Sequence, residues 1–580
     1  MNRLYWVTVS FLFLSYIWLL FWGITCNSPV QSEDALLASG VSHYKFHRFD
    51  LYRVNPPLVR LCAAFPVQKQ LSEAKNGWWR YDPNPIKRAE YVVGIDVVYN
   101  HLDYKLLIQQ SRFWVALPFG VLGFLVSFFH AKQFFGQAAS IAVIPLWCFC
   151  PYILGHGATV MNDVPSASMA LTSVFFFHRW LRQPAGLEAL LAGIILGLAE
   201  LTKFTLLIFY PLFVVLWLLY RKPTFAQFKQ LAVIFAMSLL VINMGYLFED
   251  TGKQLGNFKF QTTLLTGYEN LEDIPVGGDN RFKNSILEKI PVPLPANFVQ
   301  GIDTQRRDFE RGLPSYLRGE HSQHGWRCYY LYALLIKTPL GVLVLFILAI
   351  VCSFFRNFNA IWRDEMVILL PGIVLLAFVS SQNGFSVHSR YVIPALPFFF
   401  VWMSKVGKCF TLRKQCLSVV VSVLLVWSIF SSLWIYPHSL SYFNELAAII
   451  PTPLESRAPQ EPAGTSGIVS IFNAGARNGG RHLLESNIDW GQDIFYLEKW
   501  CQKHPDITKI YTALSGSYPL EQTKIPHQPI PSVEKFSSGW YAISVNYLYG
   551  KEEAYRQFFD MQPVAKIGFS IYIYRVQECR

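Results

Sequence analysis

Charge is the first thing this chain is short of. Only 15% of its 580 residues are Asp, Glu, Lys or Arg, against roughly 25% in a soluble globular chain. With 52% hydrophobic residues gathered in long runs, that deficit excludes an ordinary soluble protein. A cysteine framework is also missing. There are ten cysteines, yet no pair stands at metal-ligand spacing in a polar context, which excludes a zinc-ribbon type of site. Cys148 and Cys150 lie within an apolar run, and Cys352, Cys409 and Cys416 lie in or near others, where small buried apolar side chains are the simpler reading. Cys26, Cys62, Cys328, Cys501 and Cys579 remain for an oxidising compartment; their odd number allows at most two disulfides, and no pairing is singled out. No internal repeat is visible, which weighs against the secondary transporters built from repeats. Acidic residues are outnumbered, 38 to 50, for a net charge of +12. On a soluble chain this suggests nucleic acid. Here the excess sits in connectors between apolar runs, where it sets orientation, so nucleic acid is not expected as a partner.

What is present is a series of segments long enough to cross a bilayer. The first runs from Leu4 to Ile24 behind Asn2 and Arg3. Its length and the lack of a small-residue cleavage site favour an uncleaved anchor over a signal peptide. A polar stretch follows over 25–111. Candidate spans then occupy 113–130, 138–155, 164–181, 187–202, 204–220 and 230–247. After a second polar stretch, 248–328, they resume at 329–353, 366–381, 391–404 and 417–435. With the N-terminus inside, the inner connectors carry Lys132; Arg179 and Arg182; Arg221, Lys222 and Lys229; Arg356 and Arg363; and Lys405, Lys408, Arg413 and Lys414. Every one is basic, whereas short outer connectors such as 155–163 carry no Lys or Arg. This positive-inside pattern makes about eleven spans self-consistent. Merging the two short spans around Lys203 breaks it. The expected protein is a polytopic α-helical membrane protein. Its transmembrane domain covers 1–436, with outer loops 25–111 and 248–328, and an extracytoplasmic α/β domain covers 437–580. In that domain 494–503 reads as a helix, while 510–513, 540–545 and 570–574 read as strands. The Pro-, Gly- and Ser-rich stretch 451–480 reads as a flexible linker.

Alternation also gathers polar residues at one membrane face. Glu33 and Asp34 follow the first span, and Arg112 opens the second. His156, Asn162 and Asp163 lie between the third and fourth, and Lys203 between the fifth and sixth. His388 and Arg390 precede the tenth. Each has a plainer explanation. Lys and Arg at span ends snorkel. Asn162 and Asp163 cap a helix, with Pro165 in its first turn. Glu33 and Asp34 suit the start of a loop helix. As a set they suit group transfer from a lipid phosphate. A carboxylate takes a proton from the acceptor, while Arg and Lys hold the phosphate leaving group. The segment from Asn487 to Gln492 supports two readings: carbohydrate contact through Trp490, Asp489 and Gln492, or a turn with Trp490 filling a core.

Several segments in this order resemble a known family: SEDALLASGVSHYKFHRFDLYRVNPPLVR (32–60), HGATVMNDVPSA (156–167), GLAELTKFT (197–205) and HSRYVIPALP (388–397), with SYFNELA (441–447), ESNIDWGQD (485–493) and GWYAISVNYLYG (539–550) in the tail. They resemble the polyprenyl-phosphate-dependent glycosyltransferases of the GT-C fold, in the group of protein O-mannosyltransferases and aminoarabinose transferases. The resemblance implies sugar transfer from a polyprenyl-phosphate donor to a lipid, glycan or protein acceptor. It implies a multi-pass plasma (inner) membrane protein with a cytoplasmic N-terminus. That family's base is the Asp of an Asp-Glu pair in the first outer loop. Here the register set by Gly40 puts Ser32 at that place, followed by Glu33 and Asp34. Glu33 or Asp34 is then the expected base, or the base is lost. The resemblance makes Lys203 and Arg390, and after them Arg112, phosphate-side contacts, and has Asp163 support the acceptor or a cation; His156 and His388, gathered at the same face, complete the expected substrate-binding set. A divalent cation, used by some such enzymes and not by others, is left open, with His156, Asp163 and Glu33 as its candidate ligands. A non-catalytic relative that binds lipid-linked sugar and a membrane transporter are the competing classes. Against the transporter, the ionisable residues cluster at span ends, with Glu200 the nearest exception.

Overall fold

The computed structural model describes residues 2–72, 81–82, 84, 86–101, 103–382, 384, 386–453, 468–530 and 536–577. Each of the eleven expected spans coincides with a helix or a broken helix pair. By length and composition, five helices are long and apolar enough to cross a membrane: Arg3–Cys26, Tyr104–Phe135, Phe225–Gly245, Ser389–Thr411 and Gln415–Ile435. Up to seven qualify if two bent pairs each count as one. Proline accounts for both bends. Pro151 opens the second half of Gln137–Cys148 and Pro151–Gly157, which turn by 54°. Pro339 separates Tyr329–Lys337 from Leu340–Ser353, which turn by 112°. A proline cannot donate the hydrogen bond that would continue the preceding helix. It is tolerated at a helix start, where that donor has no partner anyway.

Between the first and second spans the chain forms the helix Glu33–Phe46, which is buried along most of its length. It lies directly on Leu58–Ala64. A Cβ added at Gly40 would sit 2.3 Å from the Arg60 carbonyl oxygen, so only glycine permits this approach. The later polar stretch forms Ala296–Arg311, followed by a short antiparallel pair, β1 (Ser315–Leu317) and β2 (Glu320–Ser322).

The C-terminal domain carries a five-stranded sheet of β3 (Ile510–Ala513), β4 (His527–Pro529), β5 (Gly539–Ser544), β6 (Ala565–Ile567) and β7 (Ile571–Val576), in the order β4–β3–β5–β7–β6. The pairs flanking β3 are parallel; β7 pairs antiparallel with both β5 and β6. Alternation along β5 sends Ala542 toward the helix Ile494–Lys503 and Tyr541 and Ile543 to a second core with Leu484, Ile488 and Phe558. The expected α/β character is observed. The expected linker differs at its end, where 468–478 is helical. Small residues allow it to lie flat: a Cβ on Gly475 would overlap the backbone of Phe443 and Asn444. Residues 454–467 of that stretch, and Cys579, lie outside the described residues. The nine described cysteines are all free.

Candidate functional site

The segment 485–494 is the seam between sheet domain and helical bundle. The Ser28 hydroxyl donates to the Gly491 carbonyl at 2.7 Å and accepts from Ile494 N–H at 3.0 Å. Gln31 N–H donates to the Trp490 carbonyl at 3.1 Å. On the other side, Asn487 Nδ2 donates to Val387 O at 2.8 Å and to Tyr329 Oη at 3.0 Å, and its Oδ1 accepts from Ser389 N–H at 2.8 Å. Lys337 Nζ donates to three carbonyls, those of Leu440, Tyr442 and Asn487. The segment thus has little freedom, and it roofs a polar cavity of about 480 Å³ at the end of the bundle.

Asp163, Lys203, His388 and Arg390 line that cavity. Asp163 opens the helix Asp163–Arg182, Lys203 follows Gly186–Glu200, and Arg390 stands at the start of the turn Ser389–Ala395. Asn162 Nδ2 donates to the Thr202 carbonyl at 2.8 Å, holding the first two helix ends together. Lys203 Nζ lies 2.7 Å from Asp163 Oδ1, and Arg390 Nη1 lies 3.9 Å from Oδ2. The Arg390 guanidinium also stacks on Trp490, 4.0 Å from the ring centre, and its Nε is buried without a hydrogen bond. One carboxylate therefore holds two cations at the cavity wall, leaving donor capacity and a net positive charge beside open space. Arg88 and Arg311 add further basic groups, Arg88 in an ion pair with Asp308 at 2.9 Å. His388 lies against Ser486, with Nδ1 to Oγ 2.9 Å. Burial, and then Arg390, push its imidazole well below the ordinary value. His156 is buried next to the cavity, its ring 6.1 Å from that of Trp490. Both readings of the Trp490 segment hold in part: Trp490 packs in the core at 5% exposure and also borders the cavity. Asp489 and Gln492 turn into the protein, toward Ser544, Gly491 N–H, Trp490 N–H and the Ile488 carbonyl.

Glu33, Asp34 and Arg112 are placed otherwise than expected. Glu33 and Arg112 are 0% and 1% exposed and form a two-pronged ion pair of 2.9 and 2.6 Å. The Glu33 oxygens also accept from Val30 and Val160 N–H, both at 2.9 Å. The remaining Arg112 donors reach the carbonyls of Ile24, Asn27 and Ser28. Both side chains are saturated by protein partners and neither lines the cavity, so the pair acts as a lock between the first span, the second span and the 160 region. Asp34 is buried too, with Oδ1 3.5 Å from the Ser517 hydroxyl and Oδ2 without a hydrogen bond. Burial, with the Glu33 charge adding, raises its pKa to about 7 against opposing backbone hydrogen bonds. It faces the sheet domain. Ser32, which the sequence resemblance sets where a base is expected, lines the cavity in a left-handed conformation with φ 83°. The candidate cation ligands do not converge: Glu33 is held by Arg112, and Asp163 by Lys203. Among the described residues no group of three or more His, Cys, Asp or Glu is placed to hold a metal ion.

An apolar groove of about 350 Å³ adjoins the polar cavity. Phe204, Leu207, Ile208 and Pro211 line one side and Phe309 and Phe378 another, and Gln305 and Tyr391 border both spaces. The site therefore has a cationic head end and an apolar tail end.

Residues 107–246 match the model of the dolichyl-phosphate-mannose-protein mannosyltransferase family. The matched stretch contains Arg112, Asp163 and Lys203 and agrees with the resemblance carried by the sequence segments. Four of its residues, Met161, Asn162, Asp163 and Lys203, stand in the cavity wall. Among solved structures, the chain is similar to ArnT from Cupriavidus metallidurans bound to undecaprenyl phosphate, at 12% identity and a TM-score of 0.46, covering 97% of each chain. It is similar to the apo state of that protein at 14% identity and 0.44, covering 99% of this chain and 98% of that one. It is also similar to the apo Archaeoglobus fulgidus oligosaccharyltransferase at 12% identity and 0.42, covering 83% of this chain and 64% of that one. Likeness at these scores assigns no residue a role. No curated protein matches the sequence.

Proposed function

We propose that the protein is a membrane glycosyltransferase that moves a sugar from a polyprenyl-phosphate donor to a polar acceptor at the end of the bundle where the sheet domain sits. The observation that carries this reading is the junction of the cationic cavity with the apolar groove through Gln305 and Tyr391. A phosphate on a long isoprenoid chain needs this pair of environments side by side: Arg and Lys donors for the head, and an apolar slot between helices for the tail. Lys203 and Arg390 stabilise the negative charge that develops on the phosphate as it leaves, while Asp163 holds both cations in place. Trp490, stacked against Arg390, borders the space that a sugar ring would occupy. The basic connectors at the opposite end support an extracytoplasmic position for this end, and the family resemblance supports a plasma or inner membrane.

Transfer of labelled sugar from a mixed polyprenyl-phosphate pool by the purified chain in lipid tests the reading. The native protein is expected to transfer, and Arg390→Ala to lose activity roughly 100- to 1,000-fold, the effect of removing a donor from a developing oxyanion. Equal transfer by native and variant protein contradicts it.

A further inference from the structure

Three carboxylates line the polar cavity: Asp163, Asp308 and Glu485. Asp163 is held by Lys203 and Arg390, and Asp308 by Arg88. Among the described residues, the Glu485 carboxylate has neither an ion pair nor a side-chain hydrogen bond. It lies in the C-terminal domain, just before the seam residues Ser486 and Asn487. We infer that Glu485 is the catalytic base, and that it stands at the junction of the donor cavity with a separate acceptor cavity. This inference rests on the glycosyltransferase reading above.

Four observations support it. First, a second cavity of about 250 Å³ meets the first at Glu485, Pro314 and Val387. Its walls include His321, Asn546, Tyr547 and Lys551, which suit a hydroxyl-bearing acceptor such as a glycan. Second, Glu485 is held in a conformation that L-residues avoid, with φ 59°. Such strain persists only where the surroundings impose it, and it collects at functional positions. Third, those surroundings are visible. Glu485 N–H donates to Asn546 Oδ1 at 2.8 Å, and Asn546 Nδ2 donates to the Asp489 carbonyl at 3.0 Å and to Ser515 Oγ at 2.9 Å. Ser486 and Asn487 anchor the following residues to 387–389. Fourth, surrounding protein groups partly desolvate the Glu485 carboxylate while the residue stays exposed, and this raises its pKa above the ordinary carboxylate value, which makes it a better proton acceptor near neutrality.

The acceptor hydroxyl oxygen bonds to the anomeric carbon of the donor sugar. The bond from that carbon to the phosphate oxygen breaks, and its electron pair leaves with the polyprenyl phosphate held by Lys203 and Arg390. The hydroxyl proton passes to the Glu485 carboxylate, which later releases it to solvent. Glu485 thus takes the part that Ser32 cannot, from a different segment of the chain.

The test compares native protein, Glu485→Gln and Glu485→Gly in lipid, measuring labelled-sugar transfer, displacement of bound undecaprenyl phosphate and thermal stability. Glu485→Gln keeps the side-chain shape, and Glu485→Gly relieves the left-handed strain. Both variants are expected to turn over roughly 100-fold more slowly than the native protein, or slower still. Lipid-phosphate affinity should stay within about threefold and melting temperature at or above the native value. Transfer by the native chain that Glu485→Gln retains within threefold overturns the assignment of Glu485 and leaves the glycosyltransferase reading standing. Parallel loss of lipid binding and transfer also overturns it, because Glu485 would then organise the donor site. Failure of the native protein to transfer from any donor in the pool refutes the parent reading and this inference with it.

Discussion

The Glu33–Arg112 pair and the Asp163–Lys203–Arg390 cluster are both buried groups of opposite charge at span ends, and they differ in how completely they are satisfied. Every Glu33 oxygen and every Arg112 nitrogen has a protein partner. In the cluster, one carboxylate serves two cations, the Arg390 contact is long at 3.9 Å, and its Nε has no hydrogen bond. A saturated pair has nothing left to offer a ligand, so burial makes it a structural clasp. An undersatisfied cluster on a cavity wall is stabilised further by an incoming anion. Charge type and position at a span end are alike in the two regions. Hydrogen-bond completeness separates structure from function.

Breaking the clasp should produce the largest effect. Arg112→Leu strands the Glu33 carboxylate in a dry interior, and the expected cost is about 3–5 kcal/mol, read as lost folded protein in detergent. If Arg112→Leu instead folds normally and only loses transfer, Arg112 belongs with the cavity cluster. Next comes Arg390→Lys, which keeps the charge but removes the planar fork and the stack on Trp490. Transfer should fall about 10- to 100-fold with the fold unchanged, since Lys does not replace Arg at stacked sites.

A subtler effect concerns pH. The Asp34 carboxyl titrates at about 7 in the folded protein against 3.8 ordinarily. The folded state therefore holds this proton more tightly than the unfolded chain. Its contribution to stability is fully present below about pH 4 and is lost as pH rises through about 7, at no more than about 1.4 kcal/mol per pH unit. Asp34→Asn should flatten that part of the stability profile, measured as melting temperature from pH 4 to 8. An unchanged slope would show that Asp34 is not the group responsible. The smallest effect belongs to the groove. Leu207→Ser next to Phe204 and Ile208 should raise KM for a long-chain donor about tenfold, leave kcat near native, and matter little for a short-chain donor. Equal effects on both donors would remove the groove from the lipid path.

Much of this is legible in the sequence. Apolar runs and basic connectors locate the helices, because bilayer length and the positive-inside bias act on composition directly. The pattern also brings Asp163, Lys203, His388 and Arg390 to one site, since all sit at span ends of the same sidedness. It cannot separate Glu33 and Arg112 from them. Nothing local in SED or SRF indicates that residues 33 and 112 grip each other and the backbone of 160. Glu485 opens the segment ESNIDWGQD, yet the segment does not single it out: its weight comes from a left-handed φ and from two cavities meeting at its side chain, which spacing does not encode. Asp308 and Arg311 are hidden for a similar reason, as the helix that carries them lies in a polar stretch that reads as a loop.

The most direct test of the central account, that cavity and groove together hold a polyprenyl phosphate, is photocrosslinking with a diazirine-bearing polyprenyl phosphate, followed by peptide mapping. Crosslinks within 204–211 and 302–309 that are competed by unlabelled lipid phosphate and lost in Arg390→Ala are the predicted result. Labelling spread over the outer surface of the bundle, indifferent to competitor and to Arg390, would contradict it.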